Sequence, residues 1–128
     1  MNVRVEHEQG RVPITVFYVQ GQVNMGSTPQ LEQVASGEYD SGMRNLLIDL
    51  SETTSLTSAG LRTLLWLYRL LENSSPRASG PRQTSSHLKL LNLPPNLLYV
   101  IQISGFDSFI DIYDDLPAAV ASFGAQDP

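Results

Sequence analysis

Apolar and polar side chains alternate at the start of the chain. In VRVEHEQ, residues 3–9, Val3, Val5 and His7 face one way and Arg4, Glu6 and Glu8 the other. That period of two predicts a half-buried strand. Gly10-Arg11 reads as a turn, and PITVFYVQ, residues 13–20, as the hairpin partner. Pro13 suits a strand start, where its missing N–H costs least. Gly21 to Asn24 is a short further strand or the end of this one. Ser27-Thr28-Pro29 has the form of a helix start, a hydroxyl cap with proline just inside it. The predicted helix covers 29–36, buries Leu31, Val34 and Ala35, and ends at Gly37. RNLLIDL, residues 44–50, is a short apolar run suited to a central strand covered on both faces, with Asp49 near its carboxyl end.

The longest helical signal is SAGLRTLLWLYRLLE, residues 58–72. At 100° per residue, Ser58, Arg62, Arg69 and Asn73 fall in one narrow stripe with Trp66 beside them. Leu61, Leu64, Leu65, Tyr68 and Leu71 lie opposite, with Leu67 and Leu70 toward the flanks. The Pro, Gly and Ser of NSSPRASGPRQTSS, residues 73–86, predict a flexible surface loop. HLKLLN, 87–92, reads as a strand. Pro94-Pro95 opens a third helix that Gly105 closes. SFIDIY, 108–113, is a last strand, and 116–123 a short terminal helix. The order is ββ(β)αβαβαβα, which predicts an α/β layered fold with a mixed sheet and about four helices. The expectation is one domain over 1–128, with a core from about 3 to 123.

Composition narrows the function classes. Across 128 residues the formal net charge is −5, from 13 acidic and 8 basic side chains. Lys89 is the only lysine, and no basic patch stands out, so nucleic acid is not an expected partner. The absence of cysteine excludes disulfides, thiolate chemistry and thiolate zinc sites. The opening MNVRVEHEQGR is too charged for a signal peptide, and no apolar run approaches the ~20 residues of a membrane span. A soluble cytoplasmic protein without a membrane partner is expected.

Catalytic and cofactor motifs are missing. His7 and His87 fall on different predicted strands without metal-ligand spacing, so no metal is expected. There is no glycine-rich phosphate loop, and no cofactor is implied. Asp107, Asp111, Asp114 and Asp115 lack the spacing of a calcium loop and suit a solvated face or helix caps. Ser58 lies in TSAG, not in a nucleophile elbow, and has no evident base; no enzymatic activity is expected. Two roles stay open for it. It suits a helix N-cap, worth ~0.5–2 kcal/mol. It is equally placed for modification, because a helix N-terminus tolerates a phosphate. Trp66, the only tryptophan, projects from the polar face between two arginines, and both residue types are enriched at binding hot spots. A partner surface, the 73–86 loop folding back, or a homodimer contact would each account for it.

The stretch LLIDLSETTSLTSAGLRTLL, residues 46–65, resembles the signature of the STAS domain, the family of bacterial anti-sigma factor antagonists. In that signature a strand with an Asp, matched by Asp49, leads through a loop to a serine, a glycine and a leucine opening a helix. LKLLNLPPNLLYVIQISGFDSFIDIYDDLPAAV resembles the family's carboxyl-terminal half, and the likeness runs from Val3 to Phe123. It implies a non-enzymatic switch: an unphosphorylated domain binds a serine kinase of the histidine-kinase-like ATPase fold that doubles as an anti-sigma factor, and phosphorylation breaks the contact. The phosphoacceptor role falls on Ser58, with Thr57 as a second hydroxyl. The partner surface implied is Asn24, Thr57, Ser58, Arg62, Trp66 and Arg69, on a monomer or weak dimer. Two departures stand out. Thr57 replaces the usual aspartate before the serine, and GQVN puts Gln22 and Asn24 where the family carries acidic residues. Other STAS roles are a scaffold subunit of a stress-sensing or transporter-associated assembly, and a small-ligand or nucleotide-binding domain.

Overall fold

The computed structural model describes residues 1–72 and 84–124. Among these residues, five strands form one sheet in sequence order: β1 (Asn2–Gln9), β2 (Pro13–Val23), β3 (Leu46–Leu56), β4 (Leu88–Leu91) and β5 (Asp111–Tyr113). β1 pairs antiparallel with β2, and the remaining neighbours pair in parallel. Among the described residues, four α-helices connect or follow the strands: α1 (Thr28–Asp40), α2 (Ser58–Glu72), α3 (Pro95–Ser104) and α4 (Leu116–Ser122). The expected mixed-sheet α/β architecture is therefore the observed one.

Alternation along the strands creates two cores. Phe17, Val19, Leu46, Ile48, Leu50, Leu88 and Leu90 point to one face, where Leu31 and Ala35 of α1, Leu64, Leu67 and Leu71 of α2, and Leu97 and Ile101 of α3 cover them. Ile14, Val16, Leu47 and Leu91 point to the other, under Ala119 and Phe123 of α4. Each fully buried aliphatic or aromatic side chain here contributes ~1.5–3 kcal/mol. Lys89 shares the α4 face and is only 5% exposed. Its ammonium is 3.0 Å from Ser122 Oγ and 4.9 Å from the Phe123 ring, so polar acceptors and a π face at the end of α4 replace its water.

Several boundaries differ from the sequence expectations, each for a physical reason. β3 does not end near Asp49. It runs on to Leu56 because β2 also continues, through register shifts between Tyr18 and Gln20 and between Gly21 and Gln22, to pair Val23 with Leu56. At the first shift the Thr53 hydroxyl donates to the Val19 carbonyl at 2.7 Å, satisfying an acceptor in the irregular ladder. α1 passes through Gly37 and ends near Ser41, with Gly42 taking the positive φ of +117°. Gly37 has open space around it, and the helix continues for a further turn. Ser27 occupies the α1 cap position without capping. Its hydroxyl instead donates to the Gln22 carbonyl at 2.8 Å and accepts from the Asn24 N–H at 3.0 Å, closing the loop before the helix.

Further along, Gly105 closes α3 in the left-handed conformation, φ +83°, as its position predicts. The segment after it is a 3₁₀ turn, Phe106–Ser108, and β5 begins only at Asp111. Most of the expected loop 73–86 lies outside the described residues. Its end is anchored: Thr84 donates to Asp111 at 2.9 Å, and buried Ser85 donates to Glu72 while accepting from the His87 and Leu88 N–H groups. Asp115 caps α4 by accepting from the Ala118 N–H at 2.9 Å, the cap role expected within the acidic cluster.

Gly60 sets how closely α2 approaches the sheet. A Cβ there would lie 2.6 Å from Leu56 Cδ1 and 3.0 Å from the Val23 carbonyl oxygen. In an exposed helix, replacing glycine by alanine stabilises by up to about 1 kcal/mol. Here the crowding reverses the sign. Gly60→Ala is expected to destabilise by about 1–3 kcal/mol. A thermal melt lowered relative to wild type checks this; a raised melting temperature would show that Leu56 yields freely.

Candidate functional site

The site begins where β2 and β3 end side by side. The Thr57 N–H donates to the Val23 carbonyl at 3.1 Å, adding one rung past the last pair of strand residues. The chain then turns into α2. Thr57 supplies the cap: its hydroxyl oxygen accepts from the Gly60 N–H at 3.4 Å, and its carbonyl accepts from Leu61 at 2.9 Å. The same hydroxyl donates to the Val23 carbonyl at 3.3 Å. Of the two roles open for Ser58, the cap therefore belongs to its neighbour. Ser58 is the first residue of α2, it is exposed, and its hydroxyl makes no hydrogen bond among the described residues. It stands at the positive end of a helix of 15 residues.

Asn24 comes to the same end of the sheet because Val23 sits beside Leu56. Its side-chain oxygen accepts from the Gly26 and Ser27 N–H groups at 2.9 and 3.2 Å, an Asx-type turn. An aspartate could do the same. What an aspartate could not do is donate, and Asn24 Nδ2 donates to Gln22 Oε1 at 3.1 Å. The GQVN departure from the acidic pattern is thus one interaction: an amide pair stands where two carboxylates would repel. Met25, at the tip of this turn, is 75% exposed. The sequence reading passed over it, since a lone methionine in a turn carries no periodic signal.

Along α2 the exposed stripe contains Ser58, Arg62, Trp66 and Arg69. Arg62 and Arg69 form no ion pair among the described residues, and Trp66 stays 36% exposed. Asn73, expected in the same stripe, lies outside the described residues. The buried side corrects the predicted one: Leu67 is at its centre rather than its flank, with Gly60, Thr63, Leu64 and Leu71, while Leu61, Leu65 and Tyr68 are only half-buried. The reason is the helical period itself, since at 100° per residue Leu67 falls opposite the stripe and Leu65 within about 20° of Ser58. Two neighbours hold that buried face inward. Thr63 donates to Glu32 of α1 at 2.9 Å, and Tyr68 packs edge-on against Phe109 with ring centroids 4.9 Å apart.

Asp49 lies away from this end. Its carboxylate is buried, accepting from the Ser51 N–H and hydroxyl at 2.9 and 2.7 Å and from Asn92 Nδ2 at 3.1 Å. It ties β3 to the residue after β4, where Asn92 takes a left-handed φ of +57°. Burial pushes the neighbouring Tyr18 phenol up, and the Asp49 carboxylate adds to the rise. Among the described residues, open depressions of about 530, 260 and 780 Å³ lie by Thr15 and Asn45, by Tyr18 and Asp49, and by Asn92 and Tyr113. None of these three is lined by Ser58. Among the described residues no group of three acidic, histidine or cysteine side chains could hold a metal ion, and no helix is long and apolar enough to cross a membrane.

Comparison with known proteins agrees with this architecture. Residues 4–77 match the STAS domain family model. The Bordetella bronchiseptica protein BtrV, named as an anti-sigma factor antagonist, is 33% identical over 105 residues, covering 82% of each chain. The crystal structure of an anti-sigma factor antagonist from Mycobacterium paratuberculosis superimposes with a TM-score of 0.75 at 25% identity, covering 95% of this chain and 92% of that one. The Bacillus cell-fate determinant SpoIIAA, in its phosphorylated form, shares the fold, with a TM-score of 0.64 at 18% identity over 92% of this chain and 96% of that one. With the sequence match over more than half its length and the SpoIIAA-like sheet, the chain belongs to the STAS domain family of anti-sigma factor antagonists.

Proposed function

We propose that this chain is a cytoplasmic switch that binds a serine kinase acting as an anti-sigma factor, and that phosphorylation of Ser58 weakens the complex. The partner is of the histidine-kinase-like ATPase fold that the family resemblance implies. The observation that carries the reading is the contrast between two adjacent hydroxyls. Thr57 is committed to the cap and to the Val23 carbonyl, while Ser58 is exposed and unengaged one residue on. A kinase can reach the second without unmaking the helix start, so Ser58 is the acceptor and Thr57 the support.

The docking face runs from Asn24 and Thr57 through Ser58 to Arg62, Trp66 and Arg69. A phosphate at Ser58 adds about two negative charges at its centre. The α2 N-terminus stabilises that charge, so the fold persists. The partner, which docks against a neutral hydroxyl and two arginines, then meets a dianion and a bulkier surface. Binding is lost through the interface, not through unfolding. The domain itself performs no chemistry in this scheme.

Incubating the protein with the cognate kinase and Mg-ATP is expected to add one phosphate, mapped by mass spectrometry to Ser58. Transfer to Thr57 alone, or no transfer by a kinase that still binds, contradicts the assignment. Ser58→Asp is expected to lower partner affinity while shifting stability by no more than about 0.5 kcal/mol, as a surface change does. Calorimetric titration and a thermal melt read the two effects separately. Trp66→Ala is expected to cost about 1 kcal/mol or more of binding if the ring anchors the partner. Unchanged affinity would assign the tryptophan to packing alone.

A further inference from the structure

The sheet has one long free edge. Among the described residues, the eight of β1 pair only with β2, and the opposite edge, β5, has three. A strand edge exposes a row of unpaired N–H and C=O groups and is a template for another strand. Here the larger core reaches that edge, because Val3 and Val5 are half-buried and pack against it. On the other face of the same strand stand Arg4, Glu6 and Glu8.

The charges single out one occupant. When a strand pairs antiparallel with a second copy of itself, the residue at the two-fold axis faces its own copy. A centre on Glu6 sets glutamate against glutamate, and a centre on Arg4 sets arginine against arginine; both oppose like charges. A centre on Val5 does the reverse. Val5 then meets Val5, Val3 meets His7, and Arg4 of each copy meets Glu6 of the other. Arg4 already bonds Glu6 of its own strand at 2.7 Å and lies 4.1 Å over the Tyr18 ring. Its five donors can serve both glutamates, giving a closed square of alternating charge.

We infer that β1 is a homodimerisation edge: two copies join antiparallel about Val5 into one continuous sheet, with Arg4 and Glu6 setting the register. This surface lies across β2 from the start of α2 and does not depend on the role of Ser58.

Light scattering and sedimentation on the wild-type chain up to about 1 mM are expected to show a reversible dimer that weakens with salt. Arg4→Glu and Glu6→Arg should each weaken dimerisation by about tenfold or more, since each turns two attractions into repulsions. Mixing the two variants should restore association, because one copy then carries two glutamates and the other two arginines at the facing positions. The chain has no cysteine, so Val5→Cys should cross-link to itself under mild oxidation while Gln9→Cys does not. Circular dichroism confirms that each variant is folded. A wild-type monomer throughout, as expected if the edge receives some other extended segment, overturns the proposal. So does a dimer indifferent to both reversals, or a mixture that stays monomeric.

Discussion

The prolonged pairing of β2 with β3 is the constraint on which the rest of this molecule depends. Parallel strands of eleven residues each are held in step through two register shifts, and the ladder ends with Thr57 bonded to the Val23 carbonyl. Everything at the functional end is referenced to that last rung. It brings the Asn24 turn beside the first turn of α2, and it places Gly60 against Leu56 and Val23 with no room for a side chain. If the ladder ended at Asp49, α2 would begin on an untethered loop. Its exposed face would then have no fixed relation to the sheet.

The helix is fixed in rotation as well as position. The Thr63–Glu32 hydrogen bond on one flank and the Tyr68–Phe109 ring contact on the other act as two stops, and three leucines fill the space between. The face left outward is therefore determined by contacts on its opposite side. A surface of Ser58, Arg62, Trp66 and Arg69 is displayed because Leu64, Leu67 and Leu71 have nowhere else to go. This is how an apolar core specifies a polar surface it does not touch.

Much of this was legible in the sequence. The period-two pattern of residues 3–9, the apolar run at 46–50 and the glycine at 105 each have one local meaning, and local rules read them correctly. The exposed stripe of α2 was legible too, because Ser58, Arg62, Trp66 and Arg69 recur on one side of a 3.6-residue period. The misreadings share a cause. SETTSL looks like a loop because its polar side chains are legible and its backbone partner, the far end of β2, is not. Gly37 looks like a stop because open surroundings cannot be seen from the sequence. Ser27 looks like a cap and Ser58 like another, but hydrogen-bond partners 22, 24, 57 and 60 decide which hydroxyl does what. The amide pair of Gln22 and Asn24 was visible only as two neutral residues in GQVN, where a family pattern is acidic. That they answer one another is a fact of geometry.

That amide pair has a consequence for how the α2 terminus would respond to charge. Carboxylates carry their own charge and titrate, and a ring of them would form a background against which one more anion counts for less. Gln22, Asn24 and Thr57 carry none at any ordinary pH. An anion entering at Ser58 would therefore be the first fixed negative charge contributed at these positions, one helical turn from Arg62. The neighbourhood behaves like a blank baseline, on which a single ionic event produces the whole contrast.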